Sequence, residues 1–381
     1  MADINPIEHC SRELTAQGRS VAKLYAGNPN ENGIQFPSEI LSAIYLNYFQ
    51  AQQYAPDPQG WLRARAAIAE YYNRERDLVR ADDIVLTSGT SESFWYLCAL
   101  LTQPGDNILL PTPGYPLFGE VARLAHIEPK NYRLDSARGW RLDPDSVERA
   151  INDRTRAILL ISPHNPTGMV ATTEEIHALA ALAVRHNIAL ICDEVFCEFY
   201  FGTGNFPRLM ELAPDARCFT LNGISKMFAL PALKLGWIAA TGPETARLAA
   251  VDRLAHIADT FLSCHEPIQR GLPQLFTGGA PFVSWYRTEM FKRRALALTA
   301  LALSPRIHVV PPDGGFYLMA RIDSPRWPDE EALVIALLQE HGVFVHPGYF
   351  FDFDDGVHLV ISFLTEPTRL ARGLEAILAM V

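Results

Sequence analysis

The sequence predicts an α/β fold, a mostly parallel central sheet flanked by helices, with a smaller α+β domain behind it. Two observations predict this. From Asp83 onward, short apolar runs of strand character alternate with runs of helical periodicity, which is how a parallel sheet covered on both faces reads. Beyond Trp237 that alternation gives way to long helical segments and then to a second, shorter set of strands.

Each element follows from local pattern. Residues 1–20 read as a polar helical arm, followed by the Gly-, Asn- and Pro-rich loop LYAGNPNENGIQFP. Ile40, Leu41, Ile44, Tyr45 and Tyr48 recur at helical spacing between Pro37 and Phe49. A turn at Tyr54–Gly60 leads to an amphipathic helix over Leu62–Tyr72. Strands are expected at Ile84–Thr87, Asn107–Leu110, Ala157–Ile161, Ala189–Cys192 and, last in this series, Cys218–Leu221. Between them come helices over Glu92–Leu101, Leu117–Ala125 and Thr173–His186. The Pro104-Gly105-Asp106 and Pro113-Gly114 clusters supply stops. Helices are then expected at Glu244–Phe261 and Trp285–Leu303, a strand at Gly315–Ala320 and a helix at Asp329–His341. Strands at Val343–His346 and Leu359–Phe363 and a final helix complete the chain. The expected division is discontinuous: residues 1–46 form an arm and part of the small domain, 47–275 the large domain, and 276–381 the small C-terminal domain.

Composition removes whole classes of function. A 381-residue chain that is 49% hydrophobic and 20% charged can bury a large core, enough for about two domains. A formal net charge of −10 argues against nucleic acid or an anionic membrane as partner. The acidic start MADINPIEHCSREL is not a secretory signal, and no apolar run is long enough to span a bilayer. Six cysteines without a Cys-x-x-Cys pair fit reduced thiols in a cytoplasm, not a zinc site or disulfide framework, so no metal is expected.

Four motifs carry chemistry. Ser88-Gly89-Thr90-Ser91 falls between a strand and a helix, where unpaired N–H groups, hydroxyls and a close-approaching backbone make a phosphate cradle. The ordinary alternative is that Ser91 simply caps the helix ahead of Glu92. Asn165-Pro166-Thr167-Gly168 is a β-turn that can also hold an amide over the carboxyl edge of the sheet. Asp193-Glu194 ends an apolar strand, so its carboxylate is either a cap or a buried partner for a protonated ring nitrogen. Lys226, in TLNGISKMFALPALKLGW, sits among small and apolar residues; desolvation there favours the neutral amine that attacks carbonyls. Singly, each has a structural explanation. Together they converge on one edge of one sheet.

In this combination and order the chain resembles the fold-type-I pyridoxal-phosphate enzymes, specifically the class I/II aminotransferases, from Gly27-Asn-Pro to the last strand. The resemblance implies Lys226 as the Schiff-base lysine, Asp193 beside the pyridinium nitrogen and Asn165 on the ring hydroxyl. Ser88, Gly89, Thr90 and Ser225 would hold the phosphate, with Lys234 where the family usually has arginine. Tyr115 would stack on the ring and Val195 pack on its other face. Tyr54 would reach the neighbouring subunit's phosphate, which implies a homodimer, and Gly27 and Asn165 would meet the substrate. An amino donor and a 2-oxo acid are the expected partners, with no nucleic acid or membrane.

Three positions depart from the family pattern. Phe196 stands where many relatives carry a tyrosine that supports the ring hydroxyl. Lys234 keeps the charge of an arginine but loses its fork. Val360 falls where an arginine normally clamps the substrate carboxylate, and no arginine occurs between Arg326 and Arg369. His346, His358 and Lys23 are the nearby substitutes. This third departure keeps open a lyase, decarboxylase or oxidase on the same cofactor; a non-catalytic aminotransferase-like binding protein is the reading from another class.

Overall fold

The computed structural model describes residues 5–51 and 54–381. Its central sheet has eight strands in the spatial order Ile84–Thr87, Gly236–Thr241, Cys218–Gly223, Ala189–Asp193, Thr155–Ile161, Asn107–Thr112, Glu128–Asp135 and Arg141–Leu142. Gly236–Thr241 runs antiparallel to both of its neighbours, and Arg141–Leu142 is antiparallel to Glu128–Asp135. The other neighbouring pairs are parallel. The carboxyl ends of Ile84–Thr87, Asn107–Thr112, Thr155–Ile161, Ala189–Asp193 and Cys218–Gly223 therefore share one edge, which is where open α/β sheets bind ligands.

Alternation along each strand feeds two apolar layers. Val85, Ile108, Ile191, Leu221 and Ile238 pack on one face, under the helices Thr90–Leu101, Pro116–Leu124 and Glu244–Phe261. Leu86, Leu109, Leu190, Cys192 and Trp237 pack on the other, under Leu62–Tyr72, Thr173–His186 and Glu266–Gly278. Burial on both faces is why these strands read as continuous apolar runs.

A second, antiparallel sheet contains Ile307–Val309, Tyr317–Ile322, His358–Ser362 and His346–Pro347. The N-terminal segment joins it: Ala22–Lys23 pairs in parallel with Val343–Phe344, and the Ser362 hydroxyl donates to the Ala26 carbonyl at 2.7 Å. This anchorage carries the Gly27 loop to the edge of the central sheet. Among the described residues no helix is long and apolar enough to cross a membrane.

Several elements depart from the sequence expectation, among them short ones such as Arg141–Leu142, Pro144–Ala150 and Ile307–Val309. Gly236–Thr241 follows Cys218–Gly223, which was expected to be the last strand; its Gly and Ala content gives little strand signal. Glu128–Asp135 is a polar strand near the sheet's end, with only Tyr132 and Leu134 buried. Pro267 and Pro273 mask the helix Glu266–Gly278, and the next helix starts at Ala280, ahead of the expected Trp285.

Candidate active site

Five strand ends and the Gly27 loop surround a cavity of about 980 Å³. Gly27, Gly89, Thr90, Tyr115, Asn165, Asp193, Val195, Ser225, Lys226 and Lys234 all line it. Lys226 stands on the short helix Ile224–Met227 that caps the strand Cys218–Gly223. Its Nζ donates to the Gly27 carbonyl at 2.8 Å and lies 5.8 Å from the centre of the Phe196 ring. Burial lowers the amine's pKa to about 8, partly opposed by the negative charge of Asp193.

Asp193 is the last residue of its strand and is only 6% exposed. Burial raises its carboxyl pKa to about 7; a 3.1 Å hydrogen bond from the Val195 N–H and the nearby Lys226 pull the other way. The next residue, Glu194, has a separate, structural partner, because Arg208 donates to its buried Oε2. The two adjacent acids thus divide: one is tied to an arginine, the other faces the cavity.

Asn165 sits in a tight loop closed by hydrogen bonds from Gly168 N–H to the His164 carbonyl (2.8 Å) and from His164 N–H to the Met169 carbonyl (2.7 Å). Its side-chain oxygen is buried without a hydrogen-bond partner. Such an orphan, in a loop this constrained, marks a place for a ligand's polar group.

The helix Thr90–Leu101 starts at Gly89, whose φ of 133° suits glycine, and no side chain caps it. The alternative in which Ser91 caps the helix therefore does not hold. Its first N–H groups are free of a side-chain partner, and a Cβ placed on Gly89 would lie 3.8 Å from Lys234 Nζ. An open helix start beside an ammonium is an anion site. Gly236 permits this packing, since a Cβ there would fall 2.8 Å from Gly89 Cα.

Two candidates lie off the cavity wall. Ser88 is half-buried, and its backbone N–H donates to Glu92. Tyr54 is 75% exposed in the single chain. Of the three substitutes for the missing arginine, only His346 lines the cavity. His358 packs against Phe353 and Trp140, and Lys23 lines a separate groove. Val360 is fully buried.

Sequence reasoning missed Tyr317. The Gly314-Gly315 pair before it lets the second sheet approach the first, and a Cβ on Gly27 would fall 2.4 Å from the Tyr317 hydroxyl. Tyr25, Phe350 and Phe351, recognisable in sequence only as abundant aromatics, also line the cavity, as does Phe118.

Pyridoxal phosphate fits this donor set. A buried amine with a lowered pKa, a buried carboxyl facing the cavity, an orphaned amide and an anion cradle correspond to its aldehyde, ring nitrogen, ring hydroxyl and phosphate.

Comparison with known proteins agrees. Residues 20–377 match the family model described as aminotransferase class I and II. The chain is 31% identical over 377 residues to an alanine aminotransferase of Mycobacterium tuberculosis, covering 97% of this chain and 87% of that protein. It is 30% identical over 354 residues to a glutamate-pyruvate aminotransferase of Escherichia coli, covering 91% and 87%. The structure of an alanine aminotransferase from Pyrococcus furiosus superposes with a TM-score of 0.91 at 26% identity, over 98% of this chain and 95% of that one. The chain belongs to the class I and II aminotransferases, enzymes that depend on pyridoxal phosphate.

Proposed function

We propose that Lys226 carries the cofactor and acts as the base that transfers an amino group from an amino acid or related amine to a 2-oxo acid. The observation that carries this reading is the buried pair of Lys226 and Asp193, facing one cavity with an open helix start at Thr90. Pyridoxal phosphate, when bound, supplies the electron sink that acidifies the hydrogen on the substrate's amine-bearing carbon.

The residues around it divide the work. Asp193, ionised, would keep the ring nitrogen protonated. Asn165 meets the ring hydroxyl, and Tyr115 and Val195 confine the two ring faces. Gly89, Thr90, Ser225 and Lys234, which line the cavity, would hold the phosphate. Lys226, as a neutral amine, would hold the aldehyde and, once freed by the incoming amine, would be placed to carry the proton from Cα in a 1,3-shift. Gly27 and Asn165 meet the substrate.

The names of the relatives, alanine and glutamate-pyruvate aminotransferase, support an amino acid and 2-oxo acid couple. The same reading places the protein in the cytoplasm as a homodimer, with Tyr54 reaching the neighbouring subunit's phosphate. It keeps the division into an arm (1–46), a large domain (47–275) and a small domain (276–381). An amino-donor screen tests the function: productive donors bleach the visible absorbance of the loaded protein and release keto product with stoichiometric glutamate when 2-oxoglutarate is the acceptor. Release of ammonia or CO2 instead would overturn it.

A further inference from the structure

The donor class narrows once the cavity's charges are located, an inference that rests on the aminotransferase reading above. Among the described residues lining the cavity, the charged side chains are Asp193, Lys226 and Lys234. The proposed function assigns all three to the cofactor: Lys234, beside the helix start, to its phosphate, Lys226 to its aldehyde and Asp193 to its ring nitrogen. On the side that the second sheet and the N-terminal loop supply, the wall is Tyr25, Asn28, Tyr317, His346, Phe350 and Phe351, none of them a cation.

Strand pairing explains why no cation among the described residues of the single chain reaches this end. Val360 lies directly opposite Met319 on one neighbouring strand and His346 on the other. Residues paired in this way share a sheet face. That face is the cavity's, because it carries His346 and, two residues before Met319, Tyr317. The position from which an arginine would reach over the substrate ends instead in two methyl groups, fully buried. His346 does not compensate. Its ring lies flat on Tyr25, with centres 4.1 Å apart and planes 13° apart. Burial pushes its pKa down to about 4, so it is uncharged at neutral pH.

A carboxylate drawn into this end exchanges its hydration for ring edges and hydroxyls, without a cation. An apolar or aromatic substituent incurs no such penalty there. We infer that the donor is a primary amine whose amine-bearing carbon carries an uncharged apolar or aromatic substituent and no carboxylate. In the half-reaction, that carbon is oxidised to a carbonyl while the cofactor's aldehyde carbon is reduced to the amine. Nitrogen passes to the cofactor, oxygen returns by way of water, and Lys226 carries the proton. Since both half-reactions share one cavity, a 2-oxo acid acceptor meets the same uncompensated wall and has a high KM.

The test uses cofactor-loaded protein with phenethylamine or phenylalanine, which differ by the carboxylate alone, each followed by bleaching of the visible absorbance. Phenethylamine is expected to react faster at equal concentration, by roughly tenfold or more. Calorimetry with an unreactive pair, hydrocinnamate and its neutral amide, should show tighter binding of the amide by a similar factor. Val360→Arg should reverse both preferences; the wild-type comparison stands without it if that variant fails to fold. Equal rates, or a preference for phenylalanine and hydrocinnamate, would overturn the inference and reveal a cation supplied from elsewhere, with the aminotransferase reading intact. Loaded protein that no amine bleaches would sink the aminotransferase reading instead, and calorimetry would still decide whether the cavity rejects carboxylates.

Discussion

Lys226 Nζ and the Gly27 carbonyl, 199 positions apart in sequence, are joined by a 2.8 Å hydrogen bond. The bond ties the lysine on the central sheet to the loop that the N-terminal segment carries over from the second sheet. Gly27 has no room for a side chain, because Tyr317 lies against it. The amine, the loop and the tyrosine thus fix one another, and attachment of the cofactor requires the lysine to leave its carbonyl partner.

Lys226→Ala tests the amine directly. The variant should bind the cofactor without covalent attachment, and hydride trapping should label no residue at position 226. Donor turnover should fall by about three orders of magnitude or more. Trapping of another lysine in the parent protein would refute the assignment.

Loading itself should depend on pH. At pH 7 an amine of pKa about 8 is neutral in roughly one molecule in ten. Asp193, with a pKa of about 7, is then half protonated and must lose that proton to face a cationic ring. Both requirements point the same way. Apparent affinity of the cofactor-free protein for pyridoxal phosphate should rise from pH 6 to about pH 8 and flatten above it; fluorescence or absorbance titration would show this. A flat profile would contradict it.

Asp193→Asn should stabilise the cofactor-free protein while crippling it. Burial raises the folded-state pKa of Asp193 from 3.8 to about 7. The favourable contribution is therefore complete below the unfolded value near 3.8 and is lost as pH rises through about 7. Removing the ionisable group should raise the melting temperature at pH 8 more than at pH 5, by a free-energy difference of about 2–3 kcal/mol. Activity should move oppositely. An equal gain at both pH values would show that the burial cost is not electrostatic.

Gly236→Ala should damage the phosphate site without replacing a phosphate ligand. The added methyl would meet the Gly89 backbone at 2.8 Å, and neither backbone can yield without moving the helix start. Calorimetry should show at least about a tenfold loss in affinity for pyridoxamine phosphate, with destabilisation of about 1–3 kcal/mol. Unchanged affinity would mean that the loop is not held by this contact.

The parts of the fold legible in sequence are those where burial or periodicity dominates. Thr173–His186, Ile84–Thr87 and Glu244–Phe261 have the bounds their patterns predict. The Gly236–Thr241 strand was not, because its residues are small and their strand state comes from antiparallel pairing on both sides. The site was legible as far as one sheet edge could assemble it: Asn165, Asp193 and Lys226 all follow strand ends that periodicity locates. Tyr317 and His346 were not placeable, since they reach the cavity from the second sheet, whose docking depends on long-range contacts that no local pattern encodes. Ser88 shows the limit within a motif. It belongs to the phosphate loop by sequence, yet the cavity wall begins one residue later at Gly89.

Phe196→Tyr tests how the site sets the proton held between the Lys226 nitrogen and the cofactor's ring hydroxyl. The phenyl ring is buried, packs at 4.9 Å on Phe316 and has no group to donate. A ring oxygen held here would have one donor fewer than beside a tyrosine, leaving Asn165 and the proton on the lysine nitrogen as its partners. A tyrosine hydroxyl would supply an alternative hydrogen bond to that oxygen and favour the state in which the proton has left. The pH midpoint of the loaded protein's visible absorbance should accordingly fall in the variant, by about one unit, equivalent to about 1.4 kcal/mol for one such charge-assisted bond. Spectrophotometric titration of parent and variant side by side decides it, and an unchanged or raised midpoint would refute the assignment of position 196 to the ring oxygen.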